Sequence, residues 1–208
     1  MIDVNEQLDA VDREVGSCVL EEGQARTVII SQSLKAGLDD VWEACTKAER
    51  IPAWFLPITG ELELGGRFQL EGNAGGTIQS CDPPNGFDAT WEFGDNTSWI
   101  EVRLSPVDDG RTRLRLEHIA VEDEHWNEYG PGATGVGWDG AFMGLVQYLR
   151  TGQPVDQEEA YAWMASEEGK RFYTLSSQRW GDAHIAAGAD KDVAGAAAER
   201  TVEFYTAG

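Results

Sequence analysis

The spacing of apolar residues near the start of the chain is that of a helix. Val4, Leu8, Val11 and Val15 follow one another at intervals of four, three and four residues, which places them on one face of a helix. This pattern predicts a helical arm over residues 1–24 that lies on the body of the protein. A leader segment without fixed structure is the alternative.

The next segments change from a strand pattern to amphipathic helices. Residues 25–33 contain a run of β-branched side chains and predict a strand. Residues 38–45 have acidic side chains in the first turn and apolar ones on one face, which predicts a short helix. A second short helix is predicted over residues 47–50, ended by Pro52.

Between residues 60 and 119 the hydrophobic period becomes two, and turns rich in glycine, asparagine and aspartate recur. This pattern predicts an antiparallel meander with one covered face and one solvated face. Alternation places Trp91, Phe93 and His118 on the covered face. The predicted strands are 60–64, 67–70, 76–81, 87–93, 98–104 and 111–119, and the last turn between them covers residues 108–110.

Helical patterns return after the meander. Residues 133–150 are apolar around most of one side and predict a long helix that covers the sheet. Beyond Pro154, apolar stripes predict three further helices within residues 155–208. Helices of this length are not stable alone in water, so their stripes must be buried. We expect them to pack near the N-terminal helix and residues 54–57, with a second copy of the chain as the alternative.

Several short motifs resemble those of a known superfamily. Residues 41–46 (VWEACT) and 49–55 (ERIPAWF) resemble the VW-A-T-P-E---WF signature of START, birch-pollen-allergen and polyketide-cyclase domains. Residues 65–68 (GGRF) and 137–140 (GWDG) resemble motifs of the branch related to the C-terminal domain of the activator of the heat-shock-protein ATPase. The resemblance covers residues 25–151.

The resemblance implies an α+β helix-grip fold, in which a curved antiparallel meander sheet is wrapped on a long C-terminal helix. Together with the flanking patterns it predicts an N-terminal helical arm (1–24), a helix-grip domain (25–152) and a helical extension packed on that domain (153–208). This fold hosts carriers, cyclases and chaperone regulators, so it does not specify the chemistry.

The chain is strongly acidic, with 37 Asp and Glu against 16 Lys and Arg and a formal net charge of −21. Such a surface repels phosphate backbones and anionic lipids, so neither nucleic acid nor a membrane is an expected partner. No apolar run is long enough to span a membrane, and the first residues do not resemble a secretory signal. Three scattered cysteines do not form a disulfide framework. We expect a soluble cytoplasmic protein.

The sequence contains no pattern that specifies a catalytic or metal centre. His118, His125 and His184 lack partners at metal-ligand spacing, and nucleophile-elbow and phosphate-loop motifs are missing. We therefore expect no catalytic residue, no metal and no cofactor. The alternative is a cyclase- or hydrolase-like enzyme in which His118 acts with Glu92 or Glu117, although alternation places both acids on the other face of the sheet.

Aromatic residues dominate the expected interior between sheet and helix. A cavity lined by them would bind a small apolar or aromatic molecule mainly by burial, and the alternative is that the rings only fill the core. The acidic segment 122–129 is expected at the mouth, as a solvated loop or as a lid. The expected ligand-binding residues are Trp54, Phe55, Trp91, Phe93, His118, Trp126, Trp138 and Phe142.

The leading functional hypothesis is therefore a binding module for a small hydrophobic ligand. A chaperone-regulating or protein-interaction role is a further alternative, and a homodimer is left open.

Overall fold

The computed structural model describes residues 2–108 and 110–207. Met1 and Gly208, at the ends of the predicted arm and extension, and Asp109, in a predicted turn, lie outside the described residues. The helices are α1 (Val4–Asp9), α2 (Leu38–Thr46), α3 (Glu124–Tyr129), α4 (Gly132–Thr151), α5 (Gln157–Met164), α6 (Glu167–Ala186) and α7 (Lys191–Thr206). The strands are β1 (Val11–Leu20), β2 (Gly23–Leu34), β3 (Ile58–Gly60), β4 (Arg67–Leu70), β5 (Gly75–Asp82), β6 (Gly86–Phe93), β7 (Asn96–Asp108) and β8 (Arg111–Val121).

In the described part of the chain, eight strands form one sheet in the order β1-β2-β8-β7-β6-β5-β4-β3. The strands from β3 to β8 pair with their neighbours in chain order, and each of these pairings is antiparallel. A strand, a short helix, this meander and the 20-residue helix α4 thus follow one another along the chain. The predicted α+β helix-grip order is confirmed.

The described residues divide into two compact units. The first unit contains residues 2–30, 121–143 and 155–207, and the second contains residues 31–120 and 144–154. β2 and α4 each contribute one end to each unit. The domain boundaries expected from the sequence stay predictions.

In the second unit the sheet has one apolar face and one charged face. Ala89, Ile100 and His118 are paired side by side on three neighbouring strands and are buried. One position further along the strands, Asp88 is paired with Glu101 on the opposite face, because successive side chains of a strand point to opposite sides. The predicted alternation is therefore confirmed.

In the first unit the C-terminal helices pack on the N-terminal segment. Val4 and Leu8 of α1 are buried together with Phe172 of α6. The side chains packed around this cluster are those of Met143, Trp163, Tyr173 and Leu175. The expected burial near the N-terminal helix is confirmed for Phe172 of α6, and this packing stabilises a helix as short as α1. It is wrong for Met164, Val193 and Phe204, whose side chains face solvent and are 40%, 58% and 57% exposed. Packing against residues 54–57 stays a prediction.

The predicted helical arm is wrong beyond Asp9. The carboxylate of Asp3 caps α1 by accepting a backbone N–H at 2.9 Å, and the helix ends at Asp9. Val11 and Val15 belong to strand β1 instead. Their separation of four residues is an even number, so they share a face in a strand as well as in a helix. The segment pairs with β2 in the sheet, and this pairing favours the strand over the helix.

The segment between α2 and β4 also differs from the prediction. Residues 47–50 form a turn rather than a helix, and a 3-10 turn follows at Ile51–Ala53. Pro52 fits this turn because the first positions of a helix need no backbone donor. The strand predicted at 60–64 lies earlier, at Ile58–Gly60.

The solvated loop expected over the acidic segment 122–129 is wrong from residue 124 onward, and the lid role stays a prediction. It contains the helix α3, which begins at Glu124. The carboxylate of the preceding residue, Asp123, accepts a hydrogen bond from the Trp126 backbone N–H at 2.8 Å. The N-cap residue supplies the acceptor that a helix N-terminus lacks. A capped helix thus stands where the sequence favoured a loop.

Candidate functional site

His118 lies on the apolar face of the sheet in the second unit, where it contacts a serine and a tryptophan. Its Nε2 atom is 2.8 Å from Ser98 Oγ, and its ring meets the Trp91 indole edge-on with the ring centroids 6.2 Å apart. The ring of Phe68 contacts the same indole at 6.4 Å. These four side chains, which we call the His118 cluster, come from β4, β6, β7 and β8, so the strand register brings them together.

The hydrogen bonds of Ser98 determine which nitrogen of His118 carries the proton. The Ser98 hydroxyl donates to the carbonyl oxygen of Trp91 at 3.0 Å, and a hydroxyl has one proton to donate. Ser98 Oγ therefore accepts from His118, so Nε2 is the protonated nitrogen. Burial lowers the pKa of His118 from 6.5 to about 4, because the charged ring would lose its hydration. The ring is neutral at pH 7.

The two carboxylates considered as catalytic partners of His118 are engaged on the opposite face of the sheet. Glu92 accepts a hydrogen bond from Arg67 at 2.7 Å, and this bond lowers the pKa of the Glu92 carboxyl. Glu117 accepts one from Arg115 at 2.7 Å. Glu92 directly follows Trp91 and Glu117 directly precedes His118, so both acids point to the face opposite these two side chains. The structure does not assemble His118 with either acid.

Trp54 and Phe55 form a stacked pair after the 3-10 turn of the second unit, with ring centroids 5.4 Å apart. The Trp54 indole N–H donates to the carbonyl oxygen of Ala44 at 2.9 Å, which ties this segment to α2. Gly144 of α4 lies against the Trp54 carbonyl, and a Cβ at this position would overlap that oxygen. Glycine at position 144 therefore allows the segment to approach the helix backbone closely.

The remaining sequence-predicted site residues lie in different surroundings. Phe93 is 62% exposed, so the expectation that it is covered is wrong, because it pairs with Asn96 beside the turn at the end of β6. Trp126, on α3 of the first unit, is contacted by the Arg26 guanidinium at 5.7 Å from the ring centroid. Trp138 and Phe142 are buried on α4. The ligand-binding role of these residues stays a prediction, as it does for the residues of the second unit.

The region that carries the His118 cluster matches a known family. The profile described as "Activator of Hsp90 ATPase homolog 1-like protein" matches residues 35–150, which is more than half of the chain. The chain belongs to this family. The matched range includes α2, the strands β3 to β8 and all of α4 except its last residue.

Two solved structures of CalU16 from Micromonospora echinospora resemble this family member over most of its length. The crystal structure has 34% sequence identity and a TM-score of 0.65, and the match covers 86% of this chain and 98% of CalU16. The solution structure has 33% identity and a TM-score of 0.72, with coverage of 86% and 97%. The CalU16 match therefore includes much of the chain outside residues 35–150.

An HSP90 activator from Plasmodium falciparum shows the same fold at lower similarity. It has 21% identity and a TM-score of 0.51, and the match covers 62% of this chain and 97% of that activator. A comparison with curated proteins finds no match.

Two residues of the His118 cluster were not predicted from the sequence. Ser98 lies two positions before buried Ile100 on the same strand, so alternation alone would have placed it on the apolar face. Phe68 is paired with Gly76 of the neighbouring strand, where a Cβ would lie 2.9 Å from the Phe68 ring. A glycine inside a predicted strand is the signal for such a close approach.

Within the described part of the chain, no group of three or more His, Cys, Asp or Glu side chains is arranged to hold a metal ion. Burial raises the pKa of the Cys45 thiol to about 12, so this thiol stays protonated and is a poor nucleophile. Among the described helices, none combines the length and apolar composition that crossing a membrane requires.

Proposed function

We propose that the protein binds a small apolar or aromatic molecule that contacts Trp91, His118 and Ser98. The observation that carries this proposal is a buried histidine, hydrogen-bonded to a serine, on an otherwise apolar face of the sheet. Small-molecule sites are mostly apolar and hold a few polar groups that orient the ligand. The indole of Trp91 would supply the apolar contact, and the His118–Ser98 pair the polar one.

The pKa of His118 supports binding rather than proton transfer. A general base is most effective when its pKa lies near the working pH, whereas burial holds the pKa of His118 at about 4. The acids Glu92 and Glu117 are engaged by arginines on the other face. A neutral imidazole in one tautomer is suited to orienting a polar group of a ligand, so the proposal includes no reaction.

The first experiment is a search for a molecule that co-purifies with the protein. Native mass spectrometry would detect a bound species as a mass above that of the chain, and denaturation would release it for identification. The second experiment is a fluorescence titration with Nile red, a neutral apolar dye that the acidic surface does not repel. We expect saturable binding, because apolar burial drives association.

Two tryptophans of the sheet provide a matched pair of variants. Trp91→Ala removes the ring beside His118, and Trp99→Ala removes a similarly half-buried ring from the other face. We expect Trp91→Ala to weaken dye binding about tenfold, equivalent to about 1.4 kcal/mol, and Trp99→Ala to leave it within about twofold. Equal weakening by both variants, or binding that does not saturate, would overturn the proposal.

Family membership supports a second candidate, a chaperone-regulating role, because the family is described by an activator of the Hsp90 ATPase. The test is the ATPase rate of a purified Hsp90 with and without the protein. A rate increase that survives Trp91→Ala would favour regulation through a surface rather than through a bound ligand. We expect either function to be carried out in the cytoplasm, which cell fractionation would test.

A further inference from the structure

Three aromatic rings contact one another in series on the first unit. The rings of His125 and Tyr129, both on α3, have centroids 4.9 Å apart, and Tyr129 lies 5.5 Å from Phe204 of α7. Phe204 is 57% exposed, although phenylalanine is usually buried. His125 is exposed and Tyr129 is half-buried. We call these three residues the ring surface.

The ring surface is held in place by contacts between α3 and α7. Arg200 Nε donates to the carbonyl oxygen of Glu128 at 2.7 Å, and Thr201 Oγ1 lies between the carbonyl oxygens of Tyr129, at 3.1 Å, and Ala197, at 2.9 Å. Behind Phe204, Tyr205 contacts its ring at 5.2 Å and donates its hydroxyl to the Ala133 carbonyl at 3.0 Å. The rings are therefore a preorganised surface, and a partner would not need to order them.

Carboxylates outnumber basic groups on the two helices that carry the ring surface. The exposed carboxylates of α3 and α7 are Glu124, Glu128, Asp192, Glu199 and Glu203. The basic residues of these two helices, which are described in full, are Lys191, which lies with Asp192 at the opposite end of α7 from Phe204, and Arg200. The local charge is negative, as is that of the whole chain at −21.

We propose that the ring surface is a docking site for a basic segment of a partner protein that carries arginine beside apolar side chains. The carboxylates attract a cationic segment and repel an acidic one, a nucleic acid or a second copy of this chain. The apolar side chains of the segment would cover Phe204. An arginine would pack on the face of Tyr129 or Phe204 by a cation–π contact, as Arg26 does on Trp126 and Arg50 on Tyr148.

The experiment measures the binding of a fluorescein-labelled peptide by fluorescence anisotropy, using the full chain. The peptide carries arginine and leucine at helical spacing, so that one face is basic and the other apolar. At about 0.15 M salt, where charges are screened beyond about 8 Å, we expect saturable binding. Phe204→Ala should weaken it at least about fivefold, as expected for the central residue of an interface.

Tyr161 provides the matched control, because it is an aromatic residue on α5, 64% exposed and outside the ring surface. We expect Tyr161→Ala to leave peptide affinity unchanged. The double variant Glu128→Gln/Glu203→Gln should weaken binding and reduce its dependence on salt. A peptide with glutamate in place of arginine should not bind.

Two results would overturn the proposal. In the first, Phe204→Ala retains the melting temperature of the wild type and binds the peptide equally well. In the second, a peptide of arginine and serine binds as tightly as the arginine–leucine peptide, since attraction by net charge would then explain all of the binding.

Discussion

Arg13 and Asp139, 126 positions apart in the sequence, form a buried ion pair with two hydrogen bonds. Arg13 Nε and Nη2 donate to the two carboxylate oxygens at 3.1 and 2.7 Å, and both side chains are almost fully removed from solvent. Asp139 also accepts hydrogen bonds from Ser176 at 2.5 Å and from the Trp180 indole at 3.0 Å. The pair thus connects β1, α4 and α6 within the first unit.

We expect Asp139→Asn to destabilise the protein by about 3–5 kcal/mol, because Arg13 would remain as an uncompensated charge in the core. The measurement is the free energy of unfolding in urea. Asp40→Asn is the matched control, since it breaks an ion pair with Arg50 at 2.8 Å in which Asp40 is half exposed. Exposed pairs contribute less than about 1 kcal/mol. Similar losses for the two variants would contradict the interpretation.

Phe172 and Phe204 test whether the C-terminal helices are integral to the fold. Phe172 of α6 is buried against Val4 and Leu8, so Phe172→Ala should lower the free energy of unfolding by about 3–5 kcal/mol. Phe204→Ala, at a position 57% exposed, should lower it by less than about 0.5 kcal/mol. If Phe172→Ala leaves the urea midpoint of the wild type unchanged, these helices are accessory to the fold.

Gly135 and Gly140 differ in what surrounds them on the same helix. A Cβ at position 135 would overlap the buried indole of Trp180, whereas nothing lies within 4 Å of one at position 140. Gly135→Ala should therefore destabilise the protein by about 1–3 kcal/mol through overpacking. Gly140→Ala should stabilise it by about 0.5–1 kcal/mol through helix propensity. Thermal melts would reveal shifts of opposite sign, and shifts of the same sign would contradict this explanation.

His118 should make stability depend on pH. Burial lowers its pKa from 6.5 to about 4 in the folded state, so between these values the unfolded chain binds a proton that the folded chain does not. The free energy of unfolding should thus fall as the pH drops from about 6.5 to 4, by about 3 kcal/mol from this residue. We expect this part of the fall to be missing in His118→Gln.

Carboxylates titrate in both the wild type and His118→Gln. Their contribution to the pH dependence therefore drops out of the difference between the two free energies of unfolding. An NMR titration of the His118 ring protons provides the direct measurement. A midpoint near 6.5 in the folded protein would show that the ring is hydrated, in contradiction to its burial.

Much of the candidate site follows from local pattern, but its contacts do not. The two-residue period placed Trp91 and His118 on the covered face, and the structure confirms that placement. The neighbourhood of Ser98 depends on the register between β6, β7 and β8, which is set over the whole sheet. The hydrogen bond that determines the tautomer of His118 could therefore not be read from spacing alone.

The helix-grip order, the alternation of the meander and the helices after Pro154 could be predicted from local pattern, because they depend on interactions between residues close in the chain. Asp156 and Ser166 illustrate this, since each caps the helix that immediately follows it. Local pattern did not show that Val11 and Val15 lie in a strand, or that Asp139 forms an ion pair with Arg13. The strand depends on pairing with β2 and the ion pair on a partner 126 positions away, so strand pairing and desolvation of charge outweigh local preference.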